Sequence, residues 1–596
     1  MELEAKGKAS SAVVDKVKAG IGTLQPVQER YLQGFFAGLA ERGISFWDAV
    51  SQEASLATSP PVESPSLTFE ERVKKEEHPL DSYYRLLEHA EANRAPDREH
   101  TFRFKWYGLF YLSPVKESFM ARIRIPAGQL QSFQLREIAK IAKELTTGYI
   151  QVTTRANIQI RLIQVRDAPE VLRRLSSVGL YTRGSGADNI RNITAHATTG
   201  IDPYEWIDVS PYCHKLAHLI LSQREFYDLP RKFNVAFDGG GLVPVVEDTN
   251  DIGVRAVGVG TDTGQPEVLF RIRLGGVTGH GSFGTDLGVL VEPDRIVSVV
   301  AALIKVYLKN GDRSDRRKAR VKYLLEKWGV ERYLQETEKL LGHSLRRSPF
   351  REDGSFEGEV RKEKPFVAHP HIGVHPQKQP GFYYLGVALP VGQVTANQLL
   401  RLADLADHYG QGEVRTTVWQ NFLLPHIPEG YVETVKKALV KMGLHWQQSP
   451  IASGVIACTG NRYCKYSSTD TKGHALELVK HLEKRVKLDQ PVNIHLTGCP
   501  NSCAQHYIGD IGLLGVKGTL GGSQVEAYHV FVGGGFGEHR ALGRQLFYSI
   551  PSSELPHLVE RMLKVYLAKR EPGETFQAFT ARHDINTLQR LFSQDE

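Results

Sequence analysis

The chain has 596 residues, of which 41% are hydrophobic and 24% are charged, which excludes a collagen-like, coiled-coil or globally disordered protein. Lys and Arg exceed Asp and Glu by 74 to 67, and this net charge of +7 permits an anionic substrate or an acidic protein partner. No stretch reaches the ~18 consecutive apolar residues of a membrane span, and the first residues lack the apolar run of a secretory signal. We therefore expect a cytoplasmic protein that binds neither membranes nor nucleic acid.

The first 75 residues predict a helical extension followed by a linker. Apolar residues between Val27 and Leu39 recur at helical spacing, which indicates an amphipathic helix. Ser and Pro dominate residues 51–68, a composition typical of a linker.

A repeat with an offset of 264 residues determines the predicted architecture. Residues 122–129 and 386–393 both read as a strand that reaches a Pro-x-Gly-Gln turn. A predicted helix follows, over 135–145 in the first copy and 399–409 in the second. A second strand with a Thr-Thr pair completes each unit.

Strand–helix–strand units of this length predict ferredoxin-like α+β halves that pair about a pseudo-two-fold axis. The segments 229–235 and 490–496 also resemble each other, and each leads into a glycine-containing turn. We predict an α+β fold with two ferredoxin-like half-domains and two larger α/β domains. In chain order, after the extension at 1–75, these occupy residues 76–185, 186–345, 346–445 and 446–596.

Four of the five cysteines are clustered in the sequence with the spacing C-x5-C-x34-C-x3-C, namely Cys458, Cys464, Cys499 and Cys503. Structural zinc prefers tighter pairs, and disulfides are rare in the cytoplasm, although both remain alternatives. An iron–sulfur cluster held by four thiolates fits better, because Gly460 and Gly498 indicate tight turns with free N–H groups. Cys213 has no such partner and is predicted to be a packed helical thiol.

The motif Thr497-Gly498-Cys499-Pro500-Asn501-Ser502-Cys503, with the run 509–513, resembles the sirohaem and 4Fe-4S motif of the ferredoxin-dependent assimilatory nitrite and sulfite reductase family. Cys458 and Cys464 match the upstream pair of that family, and the resemblance covers about residues 100–595. It implies an oxidoreductase whose cofactors are sirohaem and a 4Fe-4S cluster. It also implies that Cys503 bridges the cluster and the sirohaem iron.

The resemblance further implies a pocket of cations, because sirohaem carries many carboxylates and the substrates are oxyanions. The residues implied to act in catalysis are Arg122, Arg191, Lys232 and Asn234. The residues implied to bind the cofactor, besides Cys503, are Arg155 and Asn157 in the Thr-Thr-Arg-x-Asn motif. Aligning Thr153-Thr154 with Thr416-Thr417 places Val418 at the position of Arg155.

Three other segments have competing interpretations. The basic run 313–322 either binds cofactor carboxylates or forms a charged helix face, and the sequence does not separate these. The histidine-rich segment from His369 to His375 is predicted to lead from a loop into a strand rather than to bind a metal. The glycine-rich segment 533–537 matches no nucleotide motif, and the resemblance implies that it is a turn that faces the cofactor.

Within the family, Lys232-Phe233-Asn234 resembles the Lys-x-Asn of nitrite reductases, whereas sulfite reductases resemble Lys-x-Lys. The chain is therefore expected to reduce nitrite to ammonia with six electrons. The alternatives are reduction of sulfite to sulfide and a non-enzymatic iron–sulfur electron carrier. Without a nucleotide motif, the expected donor is an acidic ferredoxin that docks on a monomer near the basic residues Arg462, Lys465 and Lys472.

Overall fold

The computed structural model describes residues 67–112, 117–262, 264–348, 355–367 and 369–593. The predicted helix between Val27 and Leu39 and nearly all of the predicted linker lie outside these residues. The helices are α1 Phe69–Glu76, α2 Tyr83–Glu91, α3 Arg98–Arg103, α4 Ser132–Leu145, α5 Ala168–Ser177, α6 Ser210–Ser222, α7 Ile296–Asn310, α8 Val321–Leu341, α9 Ala396–Tyr409, α10 Val432–Lys441, α11 Thr471–Leu482, α12 Leu555–Lys569, α13 Phe576–Ala581 and α14 Ile585–Ser593.

The strands form four sheets. They are β1 Leu109–Tyr111, β2 Phe119–Ile123, β3 Gln129–Gln131, β4 Tyr149–Val152, β5 Ile158–Ile163, β6 Ile190–Ala195, β7 Phe233–Asp238, β8 Ile252–Val259, β9 Glu267–Leu274, β10 Thr285–Val291, β11 Arg346–Arg347, β12 Glu359–Val360, β13 Gly373–Pro376, β14 Phe382–Val387, β15 Gln393–Thr395, β16 Glu413–Thr416, β17 Phe422–Pro428, β18 Val455–Ala457, β19 Ile494–Thr497, β20 Ile511–Leu520, β21 Ser523–Val532 and β22 Arg544–Pro551. This mixed content confirms the predicted α+β class.

The two ferredoxin-like halves exchange one strand each. The first sheet has the order β1-β2-β5-β4-β15 and the second β13-β14-β17-β16-β3, so β15 completes the first half and β3 the second. In the two exchanged pairs Tyr149 faces Thr395 and Gln131 faces Glu413. Adding 264 to 131 and 149 gives 395 and 413, so the exchange is reciprocal and follows the predicted repeat.

Helices α4 and α9 pack against each other between the two halves. Each begins with a capping box, in which Thr395 and Gln398 at α9 occupy the places of Gln131 and Gln134 at α4. The buried residues follow the same offset, for example Leu135 in α4 and Leu399 in α9. This shared apolar face joins the two halves into one core.

Backbone hydrogen bonds correct the alignment of the Thr-Thr pairs by one residue. The N–H of Thr153 donates to the Asn157 carbonyl at 2.9 Å, and the N–H of Thr417 donates to the Asn421 carbonyl at 3.0 Å. Thr153 therefore corresponds to Thr417, and Trp419 rather than Val418 occupies the position of Arg155.

The two larger sheets share one topology. The strands β6-β7-β8 are parallel and continue antiparallel through β9, β10 and β11, while β18-β19-β20 are parallel and continue antiparallel through β21 and β22. The N–H of Asn234 donates to Asp251, and the N–H of Asn493 donates to Asp510. Asn493 is thus the counterpart of Asn234. Aligning 229–235 with 490–496 pairs Asn234 with His495 instead, so that alignment is wrong by two residues. The predicted domain limits stay predictions.

The structure also decides the smaller sequence predictions. Cys213 is fully buried in α6, as predicted. His369 bonds to Ser453 and His375 lies in β13, which agrees with a loop-to-strand entry. Of the two alternatives for the run 313–322, the charged helix face is wrong, because α8 begins only at Val321. Within the described residues, no helix has the length and apolar character needed to cross a membrane.

Candidate active site

The cysteine motif lies where two neighbouring parallel strands end. Cys458 follows β18 directly, and its N–H donates to the carbonyl of Leu496 in β19 at 3.0 Å. Cys499 follows β19 by two residues, so both thiols lie at the same sheet edge. Cys464 and Cys503 come from the loops after them. All five cysteines lie in described residues and are free, which rules out the disulfide alternative for this structure.

The Cys499 thiol lies within electrostatic reach of the other three thiols of the motif. Burial, together with the charges of Cys503, Cys464 and Cys458, raises the pKa of Cys499 to about 11. The N–H of Gly498 donates to the Cys458 sulfur at 3.3 Å, and Asn501 Nδ2 lies 3.5 Å from the Cys499 sulfur. Such donors stabilise thiolates that bind iron.

The spacing of these sulfurs argues against a single metal ion. Tetrahedral zinc with bonds of about 2.3 Å places its sulfurs roughly 3.8 Å apart. Among the described residues, no three of these sulfurs lie within 4.8 Å of one another, whereas His481, His557 and Glu560 do. That triad is a poor cation site, because Lys564 already lies 2.7 Å from Glu560. The four sulfurs, which we call the cysteine cage, are therefore not gathered as closely as a zinc site requires.

Four cations predicted from the sequence lie within electrostatic reach of one another near Cys503, and we call them the cation cluster. They are Arg122 on β2, Arg155 in the turn after β4, Arg191 on β6 and Lys232 directly before β7. Burial lowers the pKa of each one, and for each at least one neighbouring cation lowers it further. Cys503 acts in the opposite direction on Arg122, Arg155 and Lys232. Each of these four residues keeps part of its surface exposed.

These cations lack anionic partners. Within the described residues none of the four forms an ion pair with a carboxylate, and the Nη1 of Arg191 has no hydrogen-bond partner. Arg122 donates to the Ser185 carbonyl at 3.1 Å and lies over the Phe110 ring, while Arg155 donates to the amide oxygen of Asn250 at 2.9 Å. Four positive charges gathered in this way require compensation, so the cation cluster fits a polyanionic cofactor together with an anionic substrate.

Asn234 lies on β7 and is 1% exposed. Its N–H donates to Asp251 at 2.8 Å, while its side-chain oxygen has no partner. Asp251 in turn binds Arg320 through both carboxylate oxygens at 2.7 and 2.8 Å. No local pattern marks Asp251 as an anchor, because its partners lie 17 and 69 residues away in the chain.

The Thr-Thr-Arg-x-Asn motif forms a turn against the last cysteine. Thr154 Oγ1 donates to the Cys503 carbonyl at 2.8 Å, and Thr153 Oγ1 donates to the Asn157 side chain at 2.5 Å. Asn157 is therefore engaged in closing the turn that presents Arg155. Its predicted contact with a cofactor stays a prediction.

Basic residues of the run 313–322 and Lys472 are held by contacts within the protein. In the run 313–322, Arg316 pairs with Asp188 and Arg320 with Asp251, so protein carboxylates already hold them. Lys472 is 8% exposed and donates to the Val391 carbonyl, so its prediction as a surface docking residue is wrong. It lies in the first turn of α11, where the side chain turns inward.

The glycine-rich segment 533–537 follows β21 and lies near the residue that replaces Arg155 in the second half. The ring of Phe536 is 5.0 Å from that of Trp419, and Trp419 Nε1 donates to the Pro244 carbonyl. An aromatic contact thus occupies the second copy where the first carries a cation. A cofactor contact by this segment stays a prediction.

The chain matches two family models and several known proteins. The "Nitrite and sulphite reductase 4Fe-4S domain" matches residues 186–345 and 452–596, and the "Nitrite/Sulfite reductase ferredoxin-like half domain" matches 112–178 and 375–442. A ferredoxin--nitrite reductase of Synechococcus elongatus is 36% identical over 482 residues, or 79% of this chain and 90% of the relative. The chloroplastic enzyme of Zea mays is 32% identical over 83% of this chain and 89% of its own. The solved structure of the NirA protein of Mycobacterium tuberculosis shares 28% identity and a TM-score of 0.80, covering 88% of this chain and 98% of that one.

Proposed function

Since the chain belongs to the nitrite and sulfite reductase family, we propose that it reduces nitrite to ammonia with six electrons from reduced ferredoxin. The observation that carries this proposal is the cation cluster near Cys503, whose four members form no ion pair with a carboxylate among the described residues. Sirohaem and a 4Fe-4S cluster, when bound, supply the electron-transfer chemistry. The remaining steps concern the residues of this chain.

Cys458, Cys464 and Cys499 would each ligate one iron of the cluster, and Cys503 would be the ligand shared with the sirohaem iron. N–H donors such as those of Gly498 and Asn501 would delocalise the charge of the thiolates. Arg155 is suited to hold a cofactor carboxylate, because its guanidinium can bind one in a bidentate manner.

Arg122, Arg191 and Lys232 would bind the oxygens of nitrite and stabilise the negative charge that develops there. Burial and neighbouring guanidinium groups lower the pKa of Lys232 well below its usual value. Its ammonium therefore releases a proton more readily than an exposed lysine, which suits it to protonate a leaving oxygen. The guanidinium groups stay charged and keep the oxygens in place.

Asn234 favours nitrite over sulfite. Its amide can donate a hydrogen bond but adds no charge beside the four members of the cation cluster. A monoanion needs less positive charge than the sulfite dianion, so a neutral residue here suits nitrite. Sulfite reduction remains the alternative that the experiment must separate.

We propose that the donor is an acidic ferredoxin docking near the cluster. Lys465 and Arg462 follow Cys458 and flank Cys464, and both are exposed, although Arg462 pairs with Asp470 at 2.7 Å. Opposite charges speed such encounters. We also propose that the protein is a cytoplasmic monomer; cell fractionation tests its location, and sedimentation tests its oligomeric state.

The test combines a spectrum with turnover measurements. The purified protein should show haem-like Soret and red absorption bands, and reduced ferredoxin should support faster turnover of nitrite than of sulfite. Absence of those bands would leave an iron–sulfur carrier as the better description. A preference for sulfite in kcat/KM would replace nitrite as the substrate.

A further inference from the structure

Arg161 is a buried guanidinium without an anionic partner, and none of the roles above uses it. Its side chain on β5 is 2% exposed. It donates to Gln151 Oε1 at 2.7 Å, to Gln159 Oε1, and to Thr459 Oγ1 at 2.8 Å. All three acceptors are neutral, and within the described residues no carboxylate forms an ion pair with it. Its charge is therefore not compensated by the protein.

A β-bulge directs this side chain away from the apolar core of its own sheet. Between the pairs Phe119–Ile163 and Ala121–Ile160, Arg161 and Leu162 together face one residue of β2. Leu162 adopts a left-handed φ of 59°, while Ile160 and Ile163 on either side of the bulge are fully buried. The second half repeats the bulge with a φ of 60° at His426, but it has Pro425 at the position of Arg161.

The bulge presents Arg161 to the cysteine cage. Thr459 directly follows Cys458 in the chain, and the ring of Tyr463, the residue before Cys464, lies 5.4 Å from the guanidinium. Burial lowers the pKa of Arg161 to about 10, and Cys464 and Cys458 are among the groups that oppose this. Conversely, Arg161 lowers the pKa of Cys464. The guanidinium and these two thiols therefore lie within electrostatic reach.

We infer that Arg161 stabilises the reduced cluster and so raises its reduction potential. The inference rests on the proposed cofactors, because it needs a cluster in the cysteine cage. A cluster with four thiolates is anionic, and reduction adds one further negative charge. A buried, permanently charged guanidinium favours the more negative state, since low dielectric strengthens the attraction. The first half thus supplies the positive charge, while the cluster ligands come from the last part of the chain.

A redox titration of the holoenzyme, followed by the EPR signal of the reduced cluster, tests this inference. In Arg161→Gln the ratio of reduced to oxidised cluster at a fixed potential should fall at least tenfold, which is about 59 mV for one electron. Arg161→Lys keeps the charge and should remain closer to the original enzyme. Equal shifts in both variants would overturn the inference, because the hydrogen-bond fork rather than the charge would then matter.

A second variant neutralises Arg161 without removing it. Gln151→Glu places a carboxylate against the guanidinium at nearly constant shape, and it should lower the potential in the same direction. This variant decides the question if Arg161→Gln does not retain a cluster. The control is Arg415→Gln, which removes an equally buried arginine that Glu413 already neutralises at 2.6 Å.

The outcomes separate the two proposals. An unchanged potential in Gln151→Glu, or an equal shift in Arg415→Gln, would overturn the role of Arg161 while leaving the cofactors in place. Absence of a cluster from the unmodified enzyme would instead contradict the proposed function.

Discussion

Asn234→Lys should change the substrate preference of the enzyme toward sulfite. The position is 1% exposed on β7, and the N–H of residue 234 donates to Asp251 whatever side chain it carries. The strand and its anchor should therefore survive the substitution. What changes is the charge next to the cation cluster, in which Arg155 and Arg191 already lower the pKa of Lys232.

The size of the effect follows from the charge of the two substrates. Two unit charges about 4 Å apart interact by about 4 kcal/mol at an effective dielectric constant of 20. Sulfite near neutral pH is largely a dianion and nitrite a monoanion, so the new ammonium distinguishes them by one unit charge. Allowing half of that value for the mobility of the lysine leaves about 2 kcal/mol, which is more than a tenfold change in relative kcat/KM.

The assay compares nitrite and sulfite turnover with the same reduced ferredoxin. The matched control is Asn234→Met, because methionine is unbranched, neutral and similar in length to lysine. It should slow both reactions while nitrite stays the preferred substrate. Thermal unfolding of the variants checks that the fold is retained. If the nitrite-to-sulfite ratio of kcat/KM were the same in Asn234→Lys and Asn234→Met, the argument from charge would be refuted.

Three further predictions follow from the same structure. Cys503→Ser should abolish turnover and disturb both cluster and sirohaem spectra, whereas Cys213→Ser should leave both spectra intact; normal spectra in the former would contradict a shared ligand. Lys465→Glu should raise the KM for ferredoxin several-fold at low salt and less at high salt, because salt screens exposed charges. The charge-matched control is Lys309→Glu on α7, and an equal KM in the two variants would count against this docking surface. Burial lowers the pKa of His495 from 6.5 to about 4, so the unfolded chain binds the proton first as pH falls. This group should therefore lower the free energy of unfolding by up to about 3 kcal/mol between pH 6.5 and pH 4, and in urea unfolding of His495→Gln that free energy should depend less steeply on pH.

The duplicated halves could be predicted because their turns impose strong sequence constraints. Pro126 and Pro390 each precede two residues with left-handed backbone, and Gly128 and Gly392 supply the second of these at φ of 74° and 71°. The Thr-Thr alignment was less constrained, because two adjacent identical residues allow registers that differ by one. The hydrogen bond from Thr417 to Asn421 settles it, and such a bond leaves no trace in composition.

The site could be predicted where it follows a contiguous motif and not where it depends on distant contacts. The cysteines and Arg155 belong to short recognisable runs, whereas Asp251 and Arg161 act through partners far along the chain. Lys472 shows the opposite failure. It lies near the cysteines in sequence and was predicted to be exposed, yet the start of α11 turns it inward.

The reciprocal exchange of β3 and β15 has a consequence for how such a chain can arise. A single half on its own would leave the outer edge of β4 without a partner, and an unpaired edge invites a strand from another molecule. Two identical copies could satisfy each other by swapping this strand, as a symmetric dimer does. Joining the copies in one polypeptide replaces a concentration-dependent encounter with a tethered one. Once tethered, the copies are free to diverge, so that the first half carries Arg155 where the second carries Trp419.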